Sequence, residues 1–132
     1  EFDQHFNNSK FQIPEKCVIV FPDFIGDVLL LTPLIRNLRL SVGFRTKIDG
    51  VCNSVTFNLL ETNQYLDNLF IHDEKNFDRK SFFLSQNYDT AFLFNFSLKW
   101  SLDAFKTNIS QRVSFDLQRI GLKNLSIFQN LI

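Results

Sequence analysis

Two short stretches hold the residue types that could do chemistry. Pro22-Asp23-Phe24-Ile25-Gly26-Asp27 sets two carboxylates four residues apart around one glycine, and Asn95-Phe96-Ser97-Leu98-Lys99 offers an amide, a hydroxyl and an ammonium. A carboxylate beside a glycine, whose missing side chain lets a ligand approach the main chain, suits a general base. The same residues have plainer readings. Asp27 opens a helical apolar periodicity and can simply cap it, and Asp23 is of a type that forms turns. With a single glycine, the first stretch is neither the dinucleotide fingerprint nor the phosphate loop, so nucleotide binding by those routes is excluded. His5 and His72 stand alone in the sequence and read as surface or core histidines. Cys17 and Cys52 sit in apolar runs and not in a spaced Cys/His framework. They read as buried free thiols of a reducing compartment, with no metal site implied.

Positioning these loops requires strands and helices. Cys17 to Phe21 is a continuous, largely β-branched apolar run bounded by Pro22, the pattern of a strand covered on both faces. Val28, Leu31, Leu34, Ile35, Leu38 and Leu40 then recur near helical spacing and predict a helix from about Asp27 to Leu40. Pro33 implies a kink, or a true start at Thr32. Further strands are predicted at Arg45 to Val51, Asn68 to His72, Tyr88 to Phe94 and Arg112 to Phe115. Helices are predicted at Ser54 to Glu61, with Val55, Leu59 and Leu60 inward, and at Phe77 to Ser85, Leu98 to Phe105 and Leu117 to Leu131. Strands alternating with helices predict an α/β fold, an open parallel Rossmann-like sheet with helices on both faces. If the strand order is 3-2-1-4-5, both chemical loops face one crevice between the first and fourth strands.

The length of 132 residues fits one domain, 17–132, after a loose polar arm at 1–16. Fourteen basic and fourteen acidic residues cancel, which argues against nucleic acid as a partner. Seventeen of the aromatics are Phe, so most rings are expected in the core. No apolar stretch is long enough to span a bilayer and no signal peptide opens the chain. The Glu1-Phe2 start and the lack of any Met suggest a piece of a longer protein.

Val18 to Arg39, VIVFPDFIGDVLLLTPLIRNLR, resembles the opening of the bacterial heptosyltransferases of glycosyltransferase family nine, with its Asp-x-x-Gly-Asp loop and Thr-Pro-containing helix. Asn63 to Asp73, Tyr88-Asp89-Thr90-Ala91-Phe92 and Gln111-Arg112-Val113-Ser114-Phe115 resemble later segments of that family in the same order. The resemblance implies the N-terminal, acceptor-binding half of a two-domain GT-B glycosyltransferase. Its partners would be a lipopolysaccharide core or other glycan acceptor and a C-terminal half that binds an ADP-heptose-like nucleotide sugar. No cofactor or metal is implied for this half. The setting would be cytoplasmic, at the inner face of the inner membrane, with at most peripheral membrane contact.

Carried over by position, Asp27 is the catalytic base and Lys99 the acceptor-contacting cation. Asp23, Gly26, Asn95, Ser97 and Arg112 complete the candidate substrate-binding set, Arg112 as a sugar-phosphate contact or else a solvated strand-edge charge. Phe21 and Phe24 stand where the family often has basic residues, which makes this site less positive. Phe96 and Trp100 read as packing residues or as part of an exposed rim. A non-catalytic receiver-type signalling module, with Asp73, Ser97 and Asp23 as its polar residues, is the alternative of different class.

Overall fold

The computed structural model describes residues 12–114. In chain order the elements are β1 (Lys16–Val20), α1 (Ile25–Val42), β2 (Lys47–Cys52), α2 (Phe57–Leu60), β3 (Asn68–Ile71), α3 (Arg79–Gln86), β4 (Thr90–Leu93), α4 (Leu98–Lys106) and β5 (Gln111–Ser114). The five strands form one sheet in the order β3-β2-β1-β4-β5, parallel at every pairing. β1 lies at the centre between β2 and β4, as its unbroken apolar run requires, with Val18 opposite Asp49 on one side and Ala91 on the other. The final helix predicted at Leu117 to Leu131, Phe115 and residues 1–11 with His5 lie outside the described residues.

Alternate side chains of the central strands feed two cores. Val18, Val20, Val51, Ala91 and Leu93 meet Phe82 and Phe83 of α3 and Trp100 and Ala104 of α4 on one face. Cys17, Ile19, Ile48, Cys52 and Phe92 meet Val28 and Ile35 of α1 and Leu60 of α2 on the other. Burial pushes the thiols of Cys17 and Cys52 up to about 12 and about 11, so both stay protonated and unreactive. Among the described residues no helix is long and apolar enough to cross a membrane.

Several boundaries differ from those expected, each for a local reason. α1 starts two residues early: Phe24, extended at φ −106°, is its N-cap and provides no side-chain cap, so Asp27 lies inside the first turn and is not the cap. The helix runs through Pro33. Proline has no N–H for the carbonyl of Leu29, and the Thr32 hydroxyl donates to that carbonyl instead, at 2.8 Å. The inward stripe of α1 is Val28, Ile35 and Arg39, seven and four apart, which leaves Leu34 and Leu40 exposed. α2 shrinks to one turn because Asn53 Oδ1 accepts from both N–H and hydroxyl of Thr56, fixing a turn where helix was expected. Val55, expected inward, is 65% exposed. The last residues of the expected arm are tied down: Asp89 accepts from the N–H groups of Glu15 and Lys16, and Gln12 and Gln111 exchange two hydrogen bonds.

Arg39 is a buried charge with every nitrogen used. It donates to the carbonyls of Gly43, Thr46 and Tyr65 and pairs with Asp67 at 2.8 Å. It thereby fixes the end of α1, where Gly43 (φ +86°) reverses the chain, against the β2 entry and the segment before β3. Burial would raise the Asp67 carboxyl, but the Ile48 N–H and the Arg39 guanidinium outweigh it and hold the group below its ordinary range. Arg39→Met is expected to cost about 3 kcal/mol, because three carbonyls and a carboxylate lose a donor. Denaturation midpoints measure it. A depressed carboxyl contributes stability in full above its unfolded value of about 3.9 and loses it as pH falls through the native value. Between about pH 6 and pH 3, stability of the unaltered chain should therefore fall more steeply than that of Asp67→Asn.

Candidate functional site

Sheet order reverses between β1 and β4, since the chain moves outward through β2 and β3 in one direction and through β4 and β5 in the other. The turns that leave those two strands are the chemical loops singled out by sequence, and they meet above the carboxyl ends of the strands. Phe94 N–H donates to the carbonyl of Val20, and Phe21 N–H to that of Val51, extending the sheet ladder into the loops.

Asp23 is the hub. Its Oδ1 accepts from Asn95 Nδ2 at 3.1 Å and lies 3.2 Å from His72 Nε2. A carboxylate only accepts, which places the imidazole proton on Nε2. Asn53 Nδ2 donates to the Asp23 main-chain carbonyl at 2.9 Å. Asn95 is buried and spent on structure, with Nδ2 also reaching the carbonyl of Phe21 and Oδ1 accepting from the N–H of Ser97. Ser97 is the N-cap residue of α4, exposed and without a side-chain capping bond. The hub therefore joins Asp23, Asn95 and Ser97, as the sequence placed them, and adds His72 and Asn53, which sequence reasoning passed over. Nothing in the spacing of His72 could have revealed a partner 49 residues away.

Asp27 is in a different state. It sits half-buried in the first turn of α1, and no hydrogen bond or ion pair among the described residues engages its carboxylate. Gly26, just before it, is exposed, and a β-carbon there would meet nothing within 4 Å. The packing of the fold therefore leaves room for a side chain at this position. Gly50 is the contrast, since its β-carbon would lie 2.9 Å from the ring of Phe21. Lys99 is exposed in the first turn of α4, where a cation opposes the helix dipole, so its location contributes nothing to helix stability. Arg112 stands apart. It pairs in mid-strand with Ala91, its guanidinium lies 5.0 Å from the ring centre of Phe105, and burial pulls its pKa down. Its Nε has no partner among the described residues.

Phe24 and Phe96 are exposed on the two loops, so Phe96 takes the rim alternative, whereas Trp100 is a packing residue, buried among His72, Phe77 and Phe83. Asp73, the alternative phosphoacceptor, has both oxygens occupied by the N–H and hydroxyl of Ser54, which hold its carboxyl below the ordinary range. Among the described residues no three His, Cys, Asp or Glu side chains converge as a metal-ligand set.

No family model matches the chain, and no curated protein matches it. Solved structures do, among them two glycosyltransferases. A glycosyl transferase family 9 protein from Veillonella parvula DSM 2008 superposes with a TM-score of 0.61 at 21% identity, over 87% of this chain and 36% of that one. The E. coli ADP-heptose lps heptosyltransferase II gives a TM-score of 0.64 at 21% identity, over 83% of this chain and 33% of that one. The chain shares its fold with these glycosyltransferases. It spans about a third of the length of either.

Gly26→Ala separates ligand approach from fold. Alanine is the better helix former by about 1 kcal/mol, so stability should hold or rise. Binding of a ligand that uses the crevice should weaken. Thermal melts and titration of the two chains check this together.

Proposed function

We propose that this chain is the acceptor-binding part of an inverting glycosyltransferase of the heptosyltransferase type, with Asp27 as the general base. The observation that carries the reading is the uncommitted Asp27 carboxylate beside the open backbone of Gly26 at the β1/β4 reversal, in a fold shared with two glycosyltransferases. An acceptor hydroxyl in the crevice passes its proton to Asp27 while its oxygen attacks the anomeric carbon of the donor sugar. The nucleotide leaves from the opposite side, and configuration inverts. No metal enters this step.

Lys99, in the first turn of α4 next to the facing loop, steers an anionic acceptor such as a lipopolysaccharide core, and Gly26 and Ser97 leave space and a hydroxyl for it. Asp23 and Asn95 contribute by shaping the crevice. The donor, an ADP-heptose-like nucleotide sugar, is bound by a second part outside this chain. Exposed Phe24, Leu29, Leu30 and Phe96 suit an acceptor carried in a lipid surface, in keeping with work at the cytoplasmic face of the inner membrane.

In the longer enzyme that this reading requires, Asp27→Asn should lower turnover by about 10²-fold or more with the melting temperature nearly unchanged. Near-normal turnover of that variant would overturn the assignment. Lys99→Ala should act differently, raising the acceptor KM more than it lowers kcat. The 132-residue chain by itself is expected to transfer no sugar from ADP-heptose.

A further inference from the structure

α1 begins without a local cap, so something else must hold the turn that presents Asp27. The only side chain of that turn with hydrogen-bonding partners among the described residues is Asp23, which accepts from His72 and Asn95, 49 and 72 residues away, while Asn53, 30 residues away, donates to its main-chain carbonyl; one partner lies beyond each of β2, β3 and β4. We propose that Asp23 and His72 are a positioning pair that clamps the β1 to α1 turn to the neighbouring strand ends and thereby fixes Asp27 at the acceptor. The proposal rests on the reading of Asp27 as the base.

His72 is suited to the task because its own orientation is fixed. Its main-chain N–H donates to the carbonyl of Cys52, continuing the β2 to β3 ladder. Its ring meets Trp100 edge-on at 5.4 Å, and Trp100 lies beneath the guanidinium of Arg79, which Asp103 holds at 2.7 Å. A wall from α4 and α3 therefore sets the imidazole, and the imidazole sets Asp23. Asp73, next in sequence, is committed to Ser54 and does not compete. The His72 side chain is 18% exposed and that of Asp23 46%, so the pair is reachable by solvent but its geometry is enforced from behind.

Misplacing a base by about 1 Å costs up to about 10²-fold in rate. His72→Ala in the longer enzyme, assayed with ADP-heptose and heptose-deficient lipopolysaccharide, should lower kcat by about tenfold or more while the acceptor KM stays within about twofold. His72→Gln, which keeps an amide donor at similar reach, should recover most of the loss. In the 132-residue chain, amide hydrogen exchange at residues 23–27 should rise about tenfold in His72→Ala but not in His72→Gln, with exchange of β1 unchanged.

Unchanged kcat and exchange in His72→Ala would overturn the proposal. So would a raised KM with normal kcat, which would make His72 a substrate contact, or a Gln variant as damaged as Ala. An Asp27→Asn control separates the two readings. If that variant remains active, or if no sugar is transferred at all, the base assignment has failed, and exchange at 23–27 alone decides whether the clamp exists.

Discussion

β1 must satisfy hydrogen bonds on both edges and cover apolar side chains on both faces. Residues Cys17 to Phe21 are fully buried, and parallel partners lie on each side. A parallel strand needs a crossover to reach its neighbour, and the crossovers supply the helices that cover the faces. Once β1 is central, with β2 and β4 on opposite sides, the chain has to reverse direction beside it. The crevice at that reversal is a consequence of how the core closes.

The two loops at the reversal are held very differently. Asn95 spends its polar atoms on the main chain of Phe21 and Ser97 and on Asp23, and so ties the two loops together. Among the described residues, the side chains of Asp27 and Lys99 have no hydrogen-bond or ion-pair partner, and Gly26 faces open space. A carboxylate in the first turn suits the helix dipole, whereas the Lys99 cation opposes the dipole of α4 and is the poorer choice for stability alone. The Thr32 hydroxyl has a complementary part, since it lets Pro33 sit in α1 without ending the helix that carries Asp27.

Buried polar groups elsewhere serve register. Asp49, fully buried in β2, accepts from the Tyr88 hydroxyl at 2.8 Å and from Asn68 at 3.0 Å. These bonds join β2 to Tyr88, two residues before β4, and to the start of β3, and burial together with Asp49 raises the Tyr88 phenol strongly, keeping it a neutral donor. Arg39 does the same between α1 and the loops below the sheet. Both devices need exact partners and would be costly if slipped by one residue, so they specify one pairing of strands.

By itself the sequence determined the fold class, the order of elements and the two loops that meet at the reversal of sheet order. Those follow from local rules: unbroken apolar runs make central strands, helical spacing makes crossovers, and their alternation makes a parallel sheet with a crevice at its switch point. Asp27, Gly26 and Lys99 stood out as candidates from their residue types and loop positions, and the roles of base and acceptor contact came from the family resemblance. Tertiary structure alone decided that Asp27 does not cap α1, since a cap depends on where the first turn closes, and Phe24 closes it. It alone paired His72 with Asp23, committed Asn95 to tying the two loops together and turned Arg112 onto Phe105. Such pairings join residues dozens of positions apart, and local periodicity carries no record of which strand ends the sheet will bring together.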